Sequence, residues 1–380
     1  MNIDLYDYFD LKVKKGEGIY IFDDKNNKYI DTFSGIGVTV FGHSNKKLLK
    51  VMKEKMNRYI HLSNFFKDED LEIVSKKLIE FTGKDGVVYF SNSGTEATEA
   101  VLKAVKKNSN SKKNKIVYFK NSFHGRTLGA LSINGFEKLK NPFKELLPNC
   151  VELEFNKCNE IEEYMNNNGE EVLAVFLEVI QGSGGVNSIS SSFSELINRY
   201  QKKCGFYLVC DEIQAGLGRT GKFFSFQHYN LDPDIITLGK SLGGGLPLGA
   251  AIFLKDTKKI LKKGDHGSTF SPNPIALSGA RFMIENIPKY LNSINKKSEY
   301  FFKKLKKINN SKVLEIRGKG LMIGIKLDNS YPELKNRAFE NNLLINLVSN
   351  NSIIRLLPSY NVKYSEIDEI IEKIKKILKN

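Results

Sequence analysis

Apolar residues in the middle of the chain occur in short unbroken runs that alternate with longer stretches of helical spacing. Such runs, bounded by turns and separated by helices, predict a mostly parallel sheet that is buried on both faces. The spacing also predicts helices over residues 46–59, 69–82 and 365–378. The predicted strands of the central sheet are 87–90, 115–119, 173–177, 206–210 and 235–238.

The two ends of the chain carry a different pattern. Residues 18–22 and 28–33 are short β-type runs joined by a turn, and a long helical stretch begins after Pro274. We therefore expect an α/β protein of two domains. A large domain with a mostly parallel sheet covered by helices is expected over residues 46–280, and a smaller α+β domain is expected from residues 1–45 and 281–380.

The chain has 380 residues, 41% of them hydrophobic, and a net charge of +15 from 58 basic and 43 acidic residues. A charge of this size can mark a protein that binds nucleic acid or an anionic membrane surface. The lysines, however, occur as pairs such as Lys46-Lys47 among Asn and Glu residues, and not in an arginine-rich block with aromatic residues. We expect a solvated basic surface and no nucleic-acid partner, and a non-catalytic basic protein associated with nucleic acid stays a distant alternative.

The four cysteines, Cys150, Cys158, Cys204 and Cys210, form no C-x-x-C pair, which favours a reducing compartment over a disulfide framework. Residues 1–10 lack the basic start and apolar run of a signal peptide. The most apolar stretches are about nine residues long, well short of the ~20 that a membrane span needs. We therefore expect a cytoplasmic protein without a membrane partner.

The turn after the first predicted strand of the central sheet has the features of an anion site. It reads SNSGTEA over residues 91–97, and apolar residues then recur at helical spacing. Ser93 or Thr95 can cap the helix, and Gly94 allows a ligand to approach the backbone closely. Free N–H groups and the helix dipole at such a terminus attract phosphate. Taken alone, the turn is better explained as a well-capped helix.

Three further strand ends carry residues with specific chemistry. Phe123 can stack on a planar ring, and Arg126 can bind a carboxylate through two hydrogen bonds. Asp211, directly after a buried strand, must meet a cation or several hydrogen-bond donors, and a protonated pyridine nitrogen is one natural cation. Lys240, between a buried strand and a glycine-rich loop, should have a lowered pKa, as an imine-forming lysine requires. Each residue alone has a commoner explanation as a core Phe, a surface Arg, a capping Asp or a solvated Lys.

Together these strand ends supply a phosphate cradle, a ring stacker, a partner for a pyridine nitrogen and an imine-forming lysine. These four needs belong to pyridoxal 5′-phosphate (PLP). Nucleotide-binding alternatives fail, because no Gly-x-Gly-x-x-Gly follows a strand and no Gly-x-x-x-x-Gly-Lys-Ser/Thr loop is present. The histidines and cysteines show no zinc-ligand spacing, so no metal is expected.

Seven motifs, in order along the chain, give the sequence a family resemblance. It resembles the class III, fold-type I PLP aminotransferases over essentially its whole length, and the acetylornithine aminotransferase subgroup most closely. The motifs are DTFSGIGVTVFGH (31–43), SNSGTEA (91–97), SFHGRTLGALS (122–132), LEVIQGSGGV (177–186), DEIQAGLGRTG (211–221), TLGKSLGGGLPL (237–248) and HGSTF (266–270).

The resemblance implies a role for each matching residue. The implied catalytic residues are Lys240, which holds PLP as an imine and moves the proton, and Asp211, which pairs with the pyridine nitrogen. The other implied cofactor-binding residues are Gly94 and Thr95 at the phosphate beside Ser93, Phe123 on the ring, Gln214 near the ring hydroxyl, and Thr269 at the phosphate of a neighbouring subunit in a homodimer. The implied substrate-binding residues are Arg126 with Ser268 at the distal carboxylate, and Arg355 at the α-carboxylate of glutamate.

The family's members differ in their amine donor, and Ile36 bears on the choice. Ile36 stands where ornithine aminotransferases carry a tyrosine that can meet a free α-amine. Isoleucine offers no hydrogen bond, and an acetylated amine needs none. The resemblance therefore implies transfer of the terminal amino group of N2-acetyl-L-ornithine to 2-oxoglutarate, a step of arginine biosynthesis, with ornithine or 4-aminobutyrate as alternative donors.

Three positions in two segments depart from the family pattern. Ser183 stands where the family's Gln-Gly-Glu-Gly segment has glutamate, and Ser271-Pro272 replaces a Gly-Gly pair, which stiffens the backbone. The family glutamate is implied to pair with the arginine that matches Arg355 when the donor presents no α-carboxylate. Because serine is neutral and short, we expect Arg355 to stand unmasked and to favour the glutamate half-reaction.

Overall fold

The computed structural model describes residues 3–379 and contains seventeen strands within that range. Numbered along the chain, they are β1 (Val13–Glu17), β2 (Tyr20–Asp23), β3 (Lys28–Asp31), β4 (Gly86–Ser91), β5 (Lys115–Phe119), β6 (Cys150–Leu153), β7 (Val172–Leu177), β8 (Ile180–Gln181), β9 (Asn187–Ser188), β10 (Tyr207–Asp211), β11 (Ile235–Leu238), β12 (Gly249–Leu254), β13 (Val313–Lys319), β14 (Met322–Leu327), β15 (Leu343–Leu344), β16 (Asn346–Val348) and β17 (Ile353–Leu356).

Helices cover the sheets and connect their strands. The α-helices are Lys46–Arg58, Glu69–Thr82, Gly94–Lys107, Leu128–Ser132, Glu137–Lys140, Cys158–Asn168, Ser191–Cys204, Pro274–Leu305, Leu334–Glu340 and Tyr364–Leu378, and one further turn spans Ser34–Gly37. Short 3₁₀ turns occupy Gly169–Glu171, Ser225–His228, Lys240–Gly243 and Lys255–Lys259.

A seven-stranded sheet of order β4-β12-β11-β10-β7-β5-β6 forms the centre of the molecule. Its neighbouring strands are parallel except on both sides of β12, which is antiparallel to β4 and to β11. Every residue of β7, β11 and β12 is buried, as an apolar strand inside a covered sheet should be. The α/β prediction is confirmed, and so are the five central strands it contained, whereas β6 and β12 were not predicted.

The chain ends meet in a smaller sheet of order β1-β2-β3-β15, in which Leu343 pairs with Ile30. A second small sheet, β13-β14-β17-β16, is antiparallel throughout. The 32-residue helix Pro274–Leu305 runs through position 280, the predicted boundary between the domains. The helix begins at Asn273, whose side chain accepts hydrogen bonds from the first-turn N–H groups.

The direction of the central strands explains where a site can form. The strands β5, β7, β10 and β11 are parallel, and two antiparallel steps give β4 the same direction. Their carboxyl ends therefore lie along one edge of the sheet, where ligands bind in folds of this kind. Glu178, Asp211 and Gly239 are at or directly after three of these ends.

Candidate active site

A cavity of about 450 Å³ lies at this edge of the sheet. Its volume is within the range of small-molecule sites. Six of the residues expected from the sequence line it, namely Ser93, Gly94, Thr95, Phe123, Arg126 and Lys240. Further lining residues, which the sequence did not single out, include Val38, Asn92, Ile213 and the segment 245–248.

Lys240 begins the 3₁₀ turn that follows β11 and Gly239. Its backbone has a φ of +45°, a left-handed conformation that is uncommon outside glycine, and its side chain is half-buried. Burial lowers the pKa of the Lys240 amine. The negative charge of Asp211 acts to raise this pKa, but the effect of burial is larger. A lowered pKa increases the fraction of neutral amine, the nucleophilic form.

Asp211 ends β10 and is 4% exposed. Its Oδ2 lies 2.7 Å from Nδ1 of His124, and its Oδ1 accepts a hydrogen bond of 3.0 Å from the Ile213 N–H. Burial acts to lower the pKa of His124, but the hydrogen bond and charge of Asp211 outweigh it, so the pKa of His124 is raised. No specific role was predicted for His124, whereas in the structure its Nδ1 contacts and orients the Asp211 carboxylate.

Glu178 is a second buried carboxylate that sequence reasoning missed. It follows β7 directly, as Asp211 ends β10, and this shared position after a buried strand was the signal that could have found it. Its oxygens accept hydrogen bonds from the N–H groups of Phe123 (2.8 Å) and Gly182 (3.3 Å). Burial raises the pKa of Glu178 to about 7, with the charge of Asp211 acting in the same direction and that of His124 against it.

The turn after β4 forms an open cradle at a helix N-terminus. Ser93 caps the helix, and its Oγ accepts a 3.2 Å hydrogen bond from the Glu96 N–H, while the earlier N–H groups of the first turn have no partner within the helix. Gly125 has a φ of +144°, and a Cβ on it would lie 2.1 Å from Oγ1 of Thr95. Glycine therefore keeps the space beside Thr95 free.

The donor set of this cavity fits PLP. A phosphate requires N–H donors at a helix N-terminus, which Gly94 and Thr95 can supply. A pyridinium requires a buried carboxylate, an aromatic ring requires an apolar face, and a covalently held cofactor requires an amine of lowered pKa, for which Asp211, Phe123 and Lys240 are suited. The ring of Phe123 is half-buried and lines the same cavity as Lys240.

Arg126, Ser268 and Thr269 are placed differently from one another. Arg126 is exposed at the mouth of the cavity, with its guanidinium carbon 5.7 Å from the centroid of the Phe123 ring. The hydroxyl of Ser268 accepts a 2.9 Å hydrogen bond from Nδ2 of Asn92, which lines the cavity. Thr269 is exposed and does not line the cavity of its own chain.

Arg355 is buried between two side-chain partners, and neither of them is a carboxylate. Arg355 lies in β17 and is only 3% exposed, and Oδ1 of Asn346 accepts hydrogen bonds from its Nε (3.0 Å) and Nη2 (2.7 Å). Its Nη1 donates to Oε1 of Gln214 at 3.1 Å, so Gln214 is a partner of Arg355. Burial lowers the pKa of Arg355 to about 10. Ser183 is half-buried in the β8–β9 loop, and the partners of Arg355 are the side-chain amides of Asn346 and Gln214.

The segment that carries Ile36 is strained. Every residue of the turn Ser34–Gly37 has a positive φ, between 49° and 81°, so the backbone makes a left-handed turn. Such a conformation costs an ordinary residue about 1–2 kcal/mol, and it is a clear outlier for a β-branched one. The turn packs against the 3₁₀ turn of Lys240, and Val38 at its end lines the cavity. The position that the sequence connected with donor choice therefore lies beside the site.

Residues 3–379 contain neither a candidate membrane-spanning helix nor a candidate metal site. No α-helix in that part of the chain combines the length and apolar character needed to cross a bilayer. No group of three or more His, Cys, Asp or Glu side chains among the same residues is arranged to hold a metal ion.

Comparisons with known proteins agree with this geometry. The family "Aminotransferase class-III" matches residues 5–378. The acetylornithine aminotransferase of Aquifex aeolicus is 36% identical over 371 residues, which is 97% of each chain. The N-acetylornithine aminotransferase of Stenotrophomonas maltophilia superposes with a TM-score of 0.84 at 27% identity, covering 97% of this chain and 96% of that one. An ornithine aminotransferase from Toxoplasma gondii, described with PLP at partial occupancy in its active site, superposes with a TM-score of 0.92 at 26% identity, covering 99% and 91%.

Proposed function

Because the chain belongs to the class III aminotransferases, which are PLP-dependent enzymes, we propose that it transfers the terminal amino group of N2-acetyl-L-ornithine to 2-oxoglutarate. The products are N-acetylglutamate 5-semialdehyde and glutamate, and the reaction serves arginine biosynthesis. The observation that carries this proposal is the cavity that joins a helix N-terminus, the Phe123 ring, Lys240 and His124, whose Nδ1 contacts the buried Asp211.

The residues at the cofactor have separable tasks. PLP supplies an electron sink that weakens the C–H bond at the amino-bearing carbon of a bound substrate. Asp211 keeps a proton on the pyridine nitrogen, and His124 holds the carboxylate in orientation through the 2.7 Å contact to Oδ2. Nζ of Lys240 accepts the proton from the substrate carbon and returns it during the transfer, which its lowered pKa favours.

Two arginines account for the two carboxylates of the acceptor. Arg126, at the mouth of the cavity, binds the distal carboxylate with Ser268 nearby, and Arg355 binds the α-carboxylate of glutamate or 2-oxoglutarate. An arginine suits both positions because its planar guanidinium offers a carboxylate two parallel hydrogen bonds. With acetylornithine bound through its δ-amine, only Arg126 has a carboxylate to bind.

The amine donor is proposed from Ile36 and from the names of the relatives. Ile36 presents no hydrogen-bonding group beside the cavity, which suits an acetylated α-amine better than a charged one. A donor panel of acetylornithine, ornithine and 4-aminobutyrate with 2-oxoglutarate, scored by glutamate formed, tests the proposal. Acetylornithine should show the highest kcat/KM by at least ~10-fold, the order of discrimination that a pocket difference of this size gives. A higher kcat/KM for ornithine or 4-aminobutyrate would reject acetylornithine as the donor.

A homodimer with shared sites is proposed from an exposed apolar patch. Ile60, Phe65, Phe66 and Phe270 are each more than 60% exposed, which is unusual for a monomer surface. Two hydrogen bonds join their segments: Asn64 donates to the Ser268 carbonyl (2.7 Å), and Asn273 donates to the Ile60 carbonyl (3.1 Å). Thr269 is exposed within this patch and can reach the phosphate in a second subunit. Light scattering should give twice the chain mass of 43.1 kDa, and the chain mass itself would contradict the dimer.

A cytoplasmic location is proposed from cysteine chemistry. The four cysteines are free thiols in the structure, and Cys210 is buried beside Asp211 at the end of β10. Free thiols are typical of a reducing compartment. Thiol titration of the unfolded protein under non-reducing conditions should detect all four, and a lower count would indicate disulfides.

A further inference from the structure

The pairing of the last two strands puts one particular side chain beside Arg355. In the antiparallel pair β16–β17, Asn346 is the direct partner of Arg355. Side chains that face each other across such a pair have Cβ atoms about 5 Å apart, within easy reach of an amide and a guanidinium. The register of this edge strand therefore fixes which residue accompanies Arg355.

The other neighbouring strand cannot supply a partner. On that side β14 places Gly324 opposite Arg355, and a Cβ at position 324 would come within 3.1 Å of Cβ of Val186. The β14 side of Arg355 is thus filled by glycine backbone. The cross-strand partner of Arg355 comes from β16 alone.

The hydrogen bonds show how Asn346 holds the guanidinium. One amide oxygen accepts from both Nε and Nη2, at 3.0 and 2.7 Å, and Gln214 accepts from Nη1 at 3.1 Å. A guanidinium has five N–H hydrogens, so two remain, the number that a bidentate carboxylate uses. Both protein partners are neutral, so they orient Arg355 without cancelling its charge.

We propose that Asn346 is a positioning residue that determines specificity, holding Arg355 ready for an α-carboxylate without competing for it. The proposal rests on the proposed function, in which Arg355 binds the α-carboxylate of glutamate and 2-oxoglutarate. A carboxylate in place of the amide would neutralise Arg355 and weaken dicarboxylate binding. The amide leaves the charge of Arg355 available to a dicarboxylate, and the neutral Ser183 does not cancel that charge either.

The test is Asn346→Asp, which keeps the acceptor oxygen and adds a negative charge. Its matched control is Asn350→Asp in the exposed turn between β16 and β17, which changes the net charge equally away from the guanidinium. The probe is glutarate, a five-carbon dicarboxylate with neither an amino nor a keto group, titrated into the holoenzyme by calorimetry. Stopped-flow absorbance of the acetylornithine and glutamate half-reactions is measured in parallel.

Asn346→Asp should weaken glutarate binding by about 10-fold or more and slow the glutamate half-reaction at low substrate, since 10-fold corresponds to ~1.4 kcal/mol. The rate of the acetylornithine half-reaction should stay within ~2-fold of the wild-type rate. Asn350→Asp should alter neither glutarate binding nor the rates of the two half-reactions. Asn346→Ala removes the acceptor without adding charge and should weaken glutarate binding by a smaller factor. It serves as the second variant if the Asn346→Asp protein does not fold.

Two results would overturn the proposal. Equal loss of both half-reactions in the Asn346 variants would mean a purely structural role, and unchanged glutarate binding would mean no role in recognition. Arg355→Lys, run in the same series, separates this failure from failure of the proposed function. If Arg355→Lys weakens glutarate binding while Asn346→Asp does not, Arg355 remains the proposed α-carboxylate site, and only the positioning role of Asn346 is rejected. If neither variant weakens glutarate, the proposed site of α-carboxylate binding is wrong as well.

Discussion

The cofactor end of the site, formed by Asp211, His124, Glu178 and Lys240, differs in construction from the carboxylate end, formed by Arg126 and Arg355. Three residues of the cofactor end come from strand ends of one mostly parallel sheet, and its two carboxylates are at most 6% exposed. The carboxylate end combines an exposed loop arginine with a buried arginine from a separate antiparallel sheet. One end is a single compact cluster, and the other is assembled from two distant pieces.

The two ends also differ in how their buried charged groups are paired. Buried charges are stable only when they are paired, and the cofactor end pairs Asp211 with His124 and gives Glu178 two N–H donors. Arg355 is equally buried, but its partners are neutral amides. The buried carboxylates of the cofactor end therefore have partners within the protein, whereas in the proposed function the carboxylate end is completed by the negative charge of the substrate.

The largest expected effect comes from Lys240→Ala. This change should abolish turnover while PLP still binds, because the contacts to the phosphate and ring do not depend on the lysine. Absorbance of the protein after gel filtration measures bound PLP, and mass spectrometry of the wild type after borohydride reduction locates the adduct. Lys222→Ala, at an exposed lysine, is the control and should leave turnover intact. An adduct on any other lysine would show that the cofactor is attached there and not to Lys240.

Asp211 and Lys240 of the cofactor end could be predicted from the sequence, because they stand at or just after the ends of buried strands, whereas His124 and Glu178 were not assigned to the site. Apolar runs predict the strands β10 and β11, and ligands bind at the carboxyl ends of parallel strands. These two points suffice to place Asp211 and Lys240 at a binding site. The partners of Arg355 could not be predicted in this way. Gln214 is 141 residues away along the chain, and Asn346 becomes a partner only through the register of a three-residue edge strand with no apolar alternation. Such contacts depend on how two sheets pack, which local patterns do not encode.

Arg126→Lys should have the next largest effect. An ammonium cannot make two parallel hydrogen bonds to a carboxylate, so kcat/KM should fall for acetylornithine and for 2-oxoglutarate alike, by about 10- to 100-fold for the ~1.4–3 kcal/mol of a charge-assisted hydrogen bond. Steady-state kinetics, with the concentration of each substrate varied in turn, measures this fall in kcat/KM. Arg199→Lys, on the surface helix Ser191–Cys204, is the matched control. Unchanged kcat/KM for both substrates would remove Arg126 from the carboxylate end.

The pH dependence of stability tests the cost of a buried carboxylate at the cofactor end. Because the pKa of Glu178 is raised to about 7, the native state holds a proton that the unfolded chain releases near pH 4.5. The contribution of Glu178 to the free energy of unfolding is therefore greatest at low pH and falls as pH rises from about 4.5 to 7, by on the order of 3 kcal/mol. Denaturation of the wild type and Glu178→Gln across this window should show the wild type losing stability relative to the variant. Glu163→Gln, at an exposed glutamate, should give parallel curves, and parallel curves for Glu178→Gln would mean that its pKa is not raised.

The smallest effect is expected from Ser183→Glu, which adds to the carboxylate end the charge that the family pattern has there. The neighbouring residue, Gly182, touches the Arg355 partner Gln214, since a Cβ on Gly182 would lie 1.9 Å from Oε1 of Gln214. Because Gly182 lies beside Gln214, we expect a glutamate at 183 to place its charge near Arg355, mask it and raise the ratio of acetylornithine to glutamate half-reaction rates.

The gain from Ser183→Glu is limited because the new carboxylate must displace Asn346 or Gln214 from hydrogen bonds that already exist. A net stabilisation of ~0.7–1.4 kcal/mol would change the ratio about 3- to 10-fold. Stopped-flow absorbance of the two half-reactions measures the ratio, and Ser191→Glu, at an exposed first-turn position of the helix Ser191–Cys204, adds the same charge elsewhere. If the ratio does not change, the amide partners hold Arg355 too firmly for a carboxylate at 183 to replace them. The neutral pairing by Asn346 would then dominate the carboxylate end whatever residue stands at 183.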